Sequence, residues 1–297
     1  IFLMINGQII LCQQQPYYLF YNQNMSVINP AATSIEGSVI RFNHKSSMIG
    51  VEGGPSLQSI IFHSNIDRNA AWGISIQNEK VSIESHGAAT ADYSYRLKFS
   101  NDSYLNLGIK GGMFFNNIDI NAINRITPEG NPDLSLVKNY SNPILGLGLF
   151  FKAKSYFLAL SMNNLIKSNR YEEESGLVPQ SIDSGQIYSS IGLNINLNED
   201  ISITPSVIYT ISKDIENQMV IISSVNIGEN ISFALGAANN KTKNFQILFK
   251  NLKSIDFGVG YEMRAKNSIL NGNNLEIYLG YKLISNGGRK PSWERRK

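Results

Sequence analysis

One cysteine, Cys12, stands among 297 residues, so the chain cannot build a disulfide framework or a thiolate metal site of its own. Charge is also sparse. Asp, Glu, Lys and Arg make up 16% of the residues, against roughly 25% in soluble domains. The net charge of +3 is too small to point to nucleic acid, and no basic stripe interleaves with aromatics. His44, His63 and His86 are scattered without metal-ligand spacing. There is no Gly-x-Ser-x-Gly elbow and no Gly-Lys-Ser/Thr phosphate loop. The acidic run Glu172-Glu173-Glu174 reads as solvated loop charge. The sequence therefore names no catalytic residue, no metal site and no cofactor. It also lacks any run of about 18 apolar residues, which excludes a spanning helix.

What the chain has in abundance is alternation. In Ala91–Phe99, residues Tyr93, Tyr95, Leu97 and Phe99 fall on one face, and Asp92, Ser94, Arg96 and Lys98 on the other, as the two-residue period of a strand requires. The same holds for Ile255–Arg264 and Leu275–Leu283. Strands are expected at 37–43, 56–64, 70–79, 87–99, 103–116, 142–152, 155–163, 186–197, 201–211, 217–227, 231–238, 244–252, 255–264 and 274–284. About fourteen strands without a helical domain between them predict an all-β chain: a closed antiparallel barrel of the outer-membrane type. The register of Ser56–Ser64 is ambiguous, because Ile60, Ile61 and Phe62 are consecutive. Pro205 removes a ladder donor and predicts a local bulge or gap. Gly146 and Gly148 leave space on the inner face of 142–152.

The connections support the barrel. Asn65–Asn69, Ser100–Asp102, Ala153–Lys154, Asn198–Asp200, Gly228–Asn230 and Asn251–Ser254 are short and rich in turn-forming residues. The intervening links are expected to be longer, above all 117–141 and 164–185. Outer-membrane barrels carry short periplasmic turns and long outer loops, whereas a soluble sandwich has no reason to. Charges should then line the lumen: Asp92, Arg96, Lys98, Lys110, Asp256, Glu262, Arg264, Glu276 and Lys282. The reading is a network of ion pairs that fills the barrel, with a substrate or proton path as its rival.

Residues 1–12 read as the end of a secretory signal. Cleavage after Cys12 would leave Gln13 as the mature start, and bulky Leu11 disfavours a lipid anchor on Cys12. Residues 13–36 form an aromatic-rich segment, expected either as a plug in the lumen or as a periplasmic leader. It ends in Asn29-Pro30-Ala31-Ala32, and the proline biases Asn29 towards extended backbone. Residues 37–284 make the barrel and 285–297 a basic periplasmic tail. Arg289, Lys290, Arg295, Arg296 and Lys297 of that tail are either solvated or meet an acidic partner. Between the first two strands, Met48-Ile-Gly-Val-Glu-Gly-Gly-Pro55 specifies a tight backbone path.

These two segments, in this order and spacing, resemble the PorP/SprF family of type IX secretion system membrane proteins of Bacteroidetes. The resemblance rests on Gln13–Gln15, Asn29-Pro30-Ala31 and Met48–Pro55 followed by Gln58-Ser59. It extends to Trp72-Gly73-Ile74-Ser75, Ala91-Asp92-Tyr93-Ser94-Tyr95-Arg96 and Asn163-Asn164-Leu165. The chain departs from the family pattern where Met48 replaces a tryptophan and Gly54 an alanine. The resemblance implies a Sec-exported protein of the outer membrane that receives or anchors secreted surface adhesins through their C-terminal signal domain. Its expected partners are that adhesin, periplasmic type IX components and outer-membrane lipid, with no nucleic acid. Asn29, Pro30, Ala31, Met48, Gly50, Gly53, Gly54 and Pro55 are the candidate partner-binding residues. The alternative is an outer-membrane channel for small or hydrophobic solutes.

Overall fold

The computed structural model describes residues 18–35, 37–51, 53–66, 69–119, 139–166, 168–169, 182–183, 185–212, 216–252, 254–264 and 272–283. Fourteen antiparallel strands run in sequence order: β1 Val39–Ser46, β2 Ser56–Asn65, β3 Ala70–Val81, β4 Glu84–Lys98, β5 Tyr104–Ile118, β6 Tyr140–Lys152 and β7 Tyr156–Asn163. Then follow β8 Gln186–Leu193, β9 Ile201–Ile211, β10 Gln218–Ile227, β11 Ile231–Ala238, β12 Thr242–Leu252, β13 Ile255–Arg264 and β14 Asn274–Lys282. Each strand pairs with its sequence neighbours, and β14 returns to β1 in the register Val39↔Lys282 to Ser46↔Leu275. The sheet is therefore a closed barrel without a free lateral edge, which is how an all-β chain satisfies its backbone in lipid. Two short pieces add to it: Ile195–Asn196 continues β8, and Ser168–Asn169 pairs with Ile182–Asp183.

Alternation decides which way each side chain points. Along β13, Asp256, Gly258, Gly260 and Glu262 are inward and buried, while Ile255, Phe257, Val259, Tyr261 and Met263 are exposed on the outer wall. In β2, the ambiguous register resolves with Leu57, Ser59, Ile61 and His63 inside and Ile60 outside. The gap expected at Pro205 lies on the partner strand. The β8–β9 ladder stops at Gly192↔Ser206 and resumes at Ile195↔Ile203, so Leu193 and Asn194 stand opposite Pro205 and Thr204. On its other side, Pro205 keeps its place opposite Ser223.

Two links differ from the expectation of long outer connections. β3 and β4 are joined by Ser82 and Ile83 alone, with Ser82 at φ 54°. β11 and β12 are joined by residues 239–241. Of the residues read as a link at 80–86, all but Ser82 and Ile83 are instead strand, because Glu79, Lys80 and Val81 pair with His86, Ser85 and Glu84. Polar residues can extend a hairpin where its rim leaves them solvated, which the alternation rule does not anticipate. The wall is consequently uneven: β4 and β5 have 15 residues each, β7 and β8 only 8.

Candidate functional site

Chemistry in this molecule is concentrated in the lumen, because residues 18–34 occupy it. The segment enters at the rim where β1 begins and ends near the opposite rim, where Tyr18 Oη donates to Gln77 Oε1 at 3.0 Å. It contains a short helix α1, Met25–Ile28, and a 3-10 turn, Pro30–Ser34. Asn29 between them is extended (φ −131°, ψ 105°), as a residue ahead of proline should be. Its side chain accepts from Ala31 N at 3.0 Å, capping the turn whose first position is Pro30.

The wall receives this backbone on a row of small residues. Ser94, Gly108 and Gly148 are consecutive cross-strand partners on β4, β5 and β6, and Ser161 of β7 pairs with Gly148. Ser94 Oγ donates to Ala31 O at 3.2 Å, and Ser161 Oγ to Ile28 O at 2.8 Å. A Cβ on Gly108 would land on Ala31 N, and one on Gly148 on Asn29 Oδ1. Glycine is needed at both positions, because the backbone of the segment touches Gly108 and the side chains of Asn29 and Pro30 touch Gly148. Asn29 Nδ2 reaches into the wall itself and donates to Leu149 O at 2.9 Å. Asn106 Nδ2 adds a bond to Ala31 O at 3.2 Å, and Asn163 Nδ2 one to Ile28 O at 2.8 Å.

Apolar packing completes the seat. Tyr21, Met25, Ala31 and Ala32 lie against Phe150, Phe157, Ala159, Ile208, Val220, Ile222 and Ala234. Phe20 stacks on Tyr278 with ring centroids 5.4 Å apart. It fills the space over Gly258 and, with Leu19, over Gly260. Burial pushes the Tyr18 and Tyr21 phenols above their ordinary pKa, so both are neutral donors at any physiological pH. A cavity of about 20 Å³ remains between Leu19, Phe20, Asn22 and Gln23 and the β10–β12 wall, room for about one water.

Among the described residues the inward charges make the following contacts. Lys110 Nζ lies 3.3 Å from Asp92 Oδ1 and donates to Ser26 O and Val27 O at 3.1 and 2.7 Å. It thus neutralises a buried carboxylate and satisfies carbonyls at the end of α1. Arg96 donates to Ser34 O and to Asn106 Oδ1, with its guanidinium 4.2 Å over the Tyr104 ring. Glu262 lies 3.9 Å from Lys45 Nζ and accepts from Asn274, while Glu276 accepts the Leu19 N–H at 2.6 Å. Asp256 pairs with Lys282 at 3.3 Å. Lys98 is exposed at the rim, and Arg264 is half-buried. Arg41, Lys45, His63 and Glu79 also belong to the luminal set, a placement that alternation over the expected strands does not single out. Arg41 Nη1 and His63 Nδ1 are 3.1 Å apart, and Lys45 is missed because its strand was expected to end at residue 43.

Replacing Lys110 by methionine should leave Asp92 buried without its cation, at a cost of about 3–5 kcal/mol. The unfolding temperature of the barrel in detergent should fall accordingly. Adding Asp92→Leu should recover part of the loss, since a buried pair replaced whole is often near neutral.

The second candidate segment lies at the rim opposite the one where β1 begins and β14 ends. Its path is fixed by Ser47 N→Pro55 O (2.7 Å), Val51 N→Met48 O (3.0 Å) and Gly54 N→Val51 O (3.1 Å). It is tied to the start of β14 through Met48 N→Asn274 Oδ1 (3.1 Å) and Ile49 N→Asn273 O (2.9 Å). Gly50 and Gly53 adopt φ +89° and +73°, values open to few other residues. A Cβ on Gly54 would stand 2.7 Å from Ser47 O. The structure therefore separates the two candidate segments. Met48–Pro55 presents Ile49, Gly50, Val51 and Gly53 to solvent, whereas Asn29, Pro30 and Ala31 are buried in the lumen. Most of the links 117–141 and 164–185 lies outside the described residues, as do Glu52, residues 1–17 and the tail 285–297.

A family model described as type IX secretion system membrane protein PorP/SprF matches residues 10–281. No curated protein sequence matches this one. Among solved structures, the outer membrane protein Omp33 of Acinetobacter baumannii superposes with a TM-score of 0.51 at 6% identity, covering 84% of this chain and 98% of that one. The toluene transporter TbuX of Ralstonia pickettii gives a TM-score of 0.51 at 9% identity, over 85% and 91% of the two chains. At such identities the likeness is one of fold: an outer-membrane barrel.

Proposed function

The chain belongs to the PorP/SprF family of type IX secretion system membrane proteins, and on that premise we propose that it anchors secreted surface adhesins at the outer membrane through their C-terminal signal domain. The observation that supports holding over conducting is the occupied lumen, where the segment is buried against the wall and hydrogen-bonded to β4, β6 and β7. A channel for small or hydrophobic solutes needs an open or gated passage in that same space.

In this reading Sec exports the chain, and the rim where β1 begins and β14 ends faces the periplasm and its type IX components. The opposite rim, with Met48–Pro55 and the links 117–141 and 164–185, faces outward. Short turns at the first rim support that orientation. Outward loops on a rigid scaffold are the natural place for recognition. Within Met48–Pro55, the glycines and Pro55 shape the path, and the exposed Ile49 and Val51 are the side chains a partner would meet. Asn29, Pro30 and Ala31 act by seating the luminal segment.

The test is surface display. Cells that lack this chain should release the adhesin into the medium or retain it in the periplasm, and the intact chain should restore display. Unchanged display in its absence would overturn the anchoring role. The rim loop can be tested separately: Ile49→Ser combined with Val51→Ser should leave barrel stability within about 0.5 kcal/mol, as for exposed sites, while lowering display.

A further inference from the structure

On the outer wall, back to back with the seat of Asn29–Ala31, lies an apolar hollow of about 630 Å³. We propose that this hollow holds one acyl chain of an outer-membrane phospholipid. The inference rests on the barrel being embedded in a bilayer and is independent of the secretion role.

Strand register builds the hollow. Ile109, Leu147 and Met162 are consecutive cross-strand partners on β5, β6 and β7 and form one bank. Leu107, Leu149 and Leu160, paired in the same way, form the other. All six project from the wall, with 38–56% of their surface exposed. Between the banks runs the backbone of Gly108, Gly148 and Ser161. That row carries no side chain larger than a hydroxymethyl, and Ser161 directs its hydroxyl inward to Ile28 O. At the β4 end, Tyr93 and Tyr95 close the two banks, opposite Ile109 and Leu107 respectively.

Shape, chemistry and position agree on the occupant. The volume falls within the range of about 300–1,000 Å³ typical of preformed ligand sites. The lining is aliphatic and aromatic, without a charged side chain. It interrupts the lipid-facing belt of the barrel, so the medium that reaches it is the hydrocarbon of the membrane. A rigid trough with apolar banks orders a flexible chain at low cost only if the trough is already formed. Here it is held from the inside. Asn29 Nδ2 is bonded to Leu149 O, and Asn29, Pro30 and Ala31 rest on Gly108 and Gly148, which fixes the wall behind the hollow.

The test uses the full chain, delipidated in mild detergent and then incubated with dipalmitoyl phosphatidylethanolamine. Native mass spectrometry reads bound lipid on the folded barrel. The intact protein should retain one phospholipid through detergent exchange. Leu147→Trp, which places an indole in the trough from one bank, should lose it, and Ile109→Trp should do so from the neighbouring strand. Leu235→Trp, on β11 away from the hollow, should retain it. Absence of lipid on the intact protein, equal retention by both trough variants, or loss in Leu235→Trp would each overturn the proposal. A partner protein that protects the hollow from labelling while no lipid is bound would also overturn it.

Discussion

Deleting residues 13–36 should convert a barrel that passes almost no current into a steadily conducting pore in planar bilayers. Barrel size makes the effect large. About eight strands enclose an interior that side chains can fill, whereas 16–18 leave an aqueous channel. Fourteen strands fall between these limits, so the wall's own side chains do not suffice. The inner wall is built accordingly: glycines stand at 108, 148, 258 and 260 where residues 19–31 press against it. Without the segment, those positions become open volume lined by Arg41, Lys110 and Arg96 on one side and by Phe150, Phe157 and Ile222 on the other. An intact protein that already carries a large, substrate-selective current would favour the channel reading. A silent deletion variant that is still folded would show that something other than residues 13–36 closes the lumen.

Leucine at Gly108 or Gly148 should expel the segment from its seat. Ordinary overpacking costs about 1–3 kcal/mol, and here the cost should reach or exceed the upper end. The atoms that would clash are Ala31 N and Asn29 Oδ1, neither of which can rotate away without dismantling the turn. The wall has its own closed ladder and should survive. Added protease should therefore cut within residues 18–34 in Gly148→Leu and not in the intact protein, while the barrel itself stays resistant. Gly111, where a Cβ would meet nothing within 4 Å, supplies the control, since Gly111→Ala should leave the segment protected. Asn29→Ala should give a milder form of the same result, with a loss of about 1–3 kcal/mol from the cap and the bond to Leu149 O.

Much of this architecture is local in origin and so legible in the chain. Alternation such as Tyr93/Asp92 or Val259/Gly258 depends on neighbouring residues alone, and it gives strand number, facing and closure. Strand ends were less legible. His44–Ser46 and Glu84–His86 are polar enough to read as links, yet pairing with β14 and β3 keeps them in the wall. That error hid Lys45, which faces Glu262 across the lumen end. The row of Ser94, Gly108, Gly148 and Ser161 is of a different kind. Its members are spread over 68 positions of sequence and meet only through the register of four strands. No window of the chain contains it. For the same reason Asn29 could be singled out by its proline neighbour, but its grip on β6 could not be foreseen.

Capture of the full-length chain from native outer membranes in mild detergent, with identification of whatever remains bound, decides whether the barrel holds an adhesin. A large secreted surface protein held through its C-terminal domain should be recovered with the barrel and lost when that domain is removed. Repeated recovery of the barrel with no such protein, from cells that secrete one, would contradict the anchoring role.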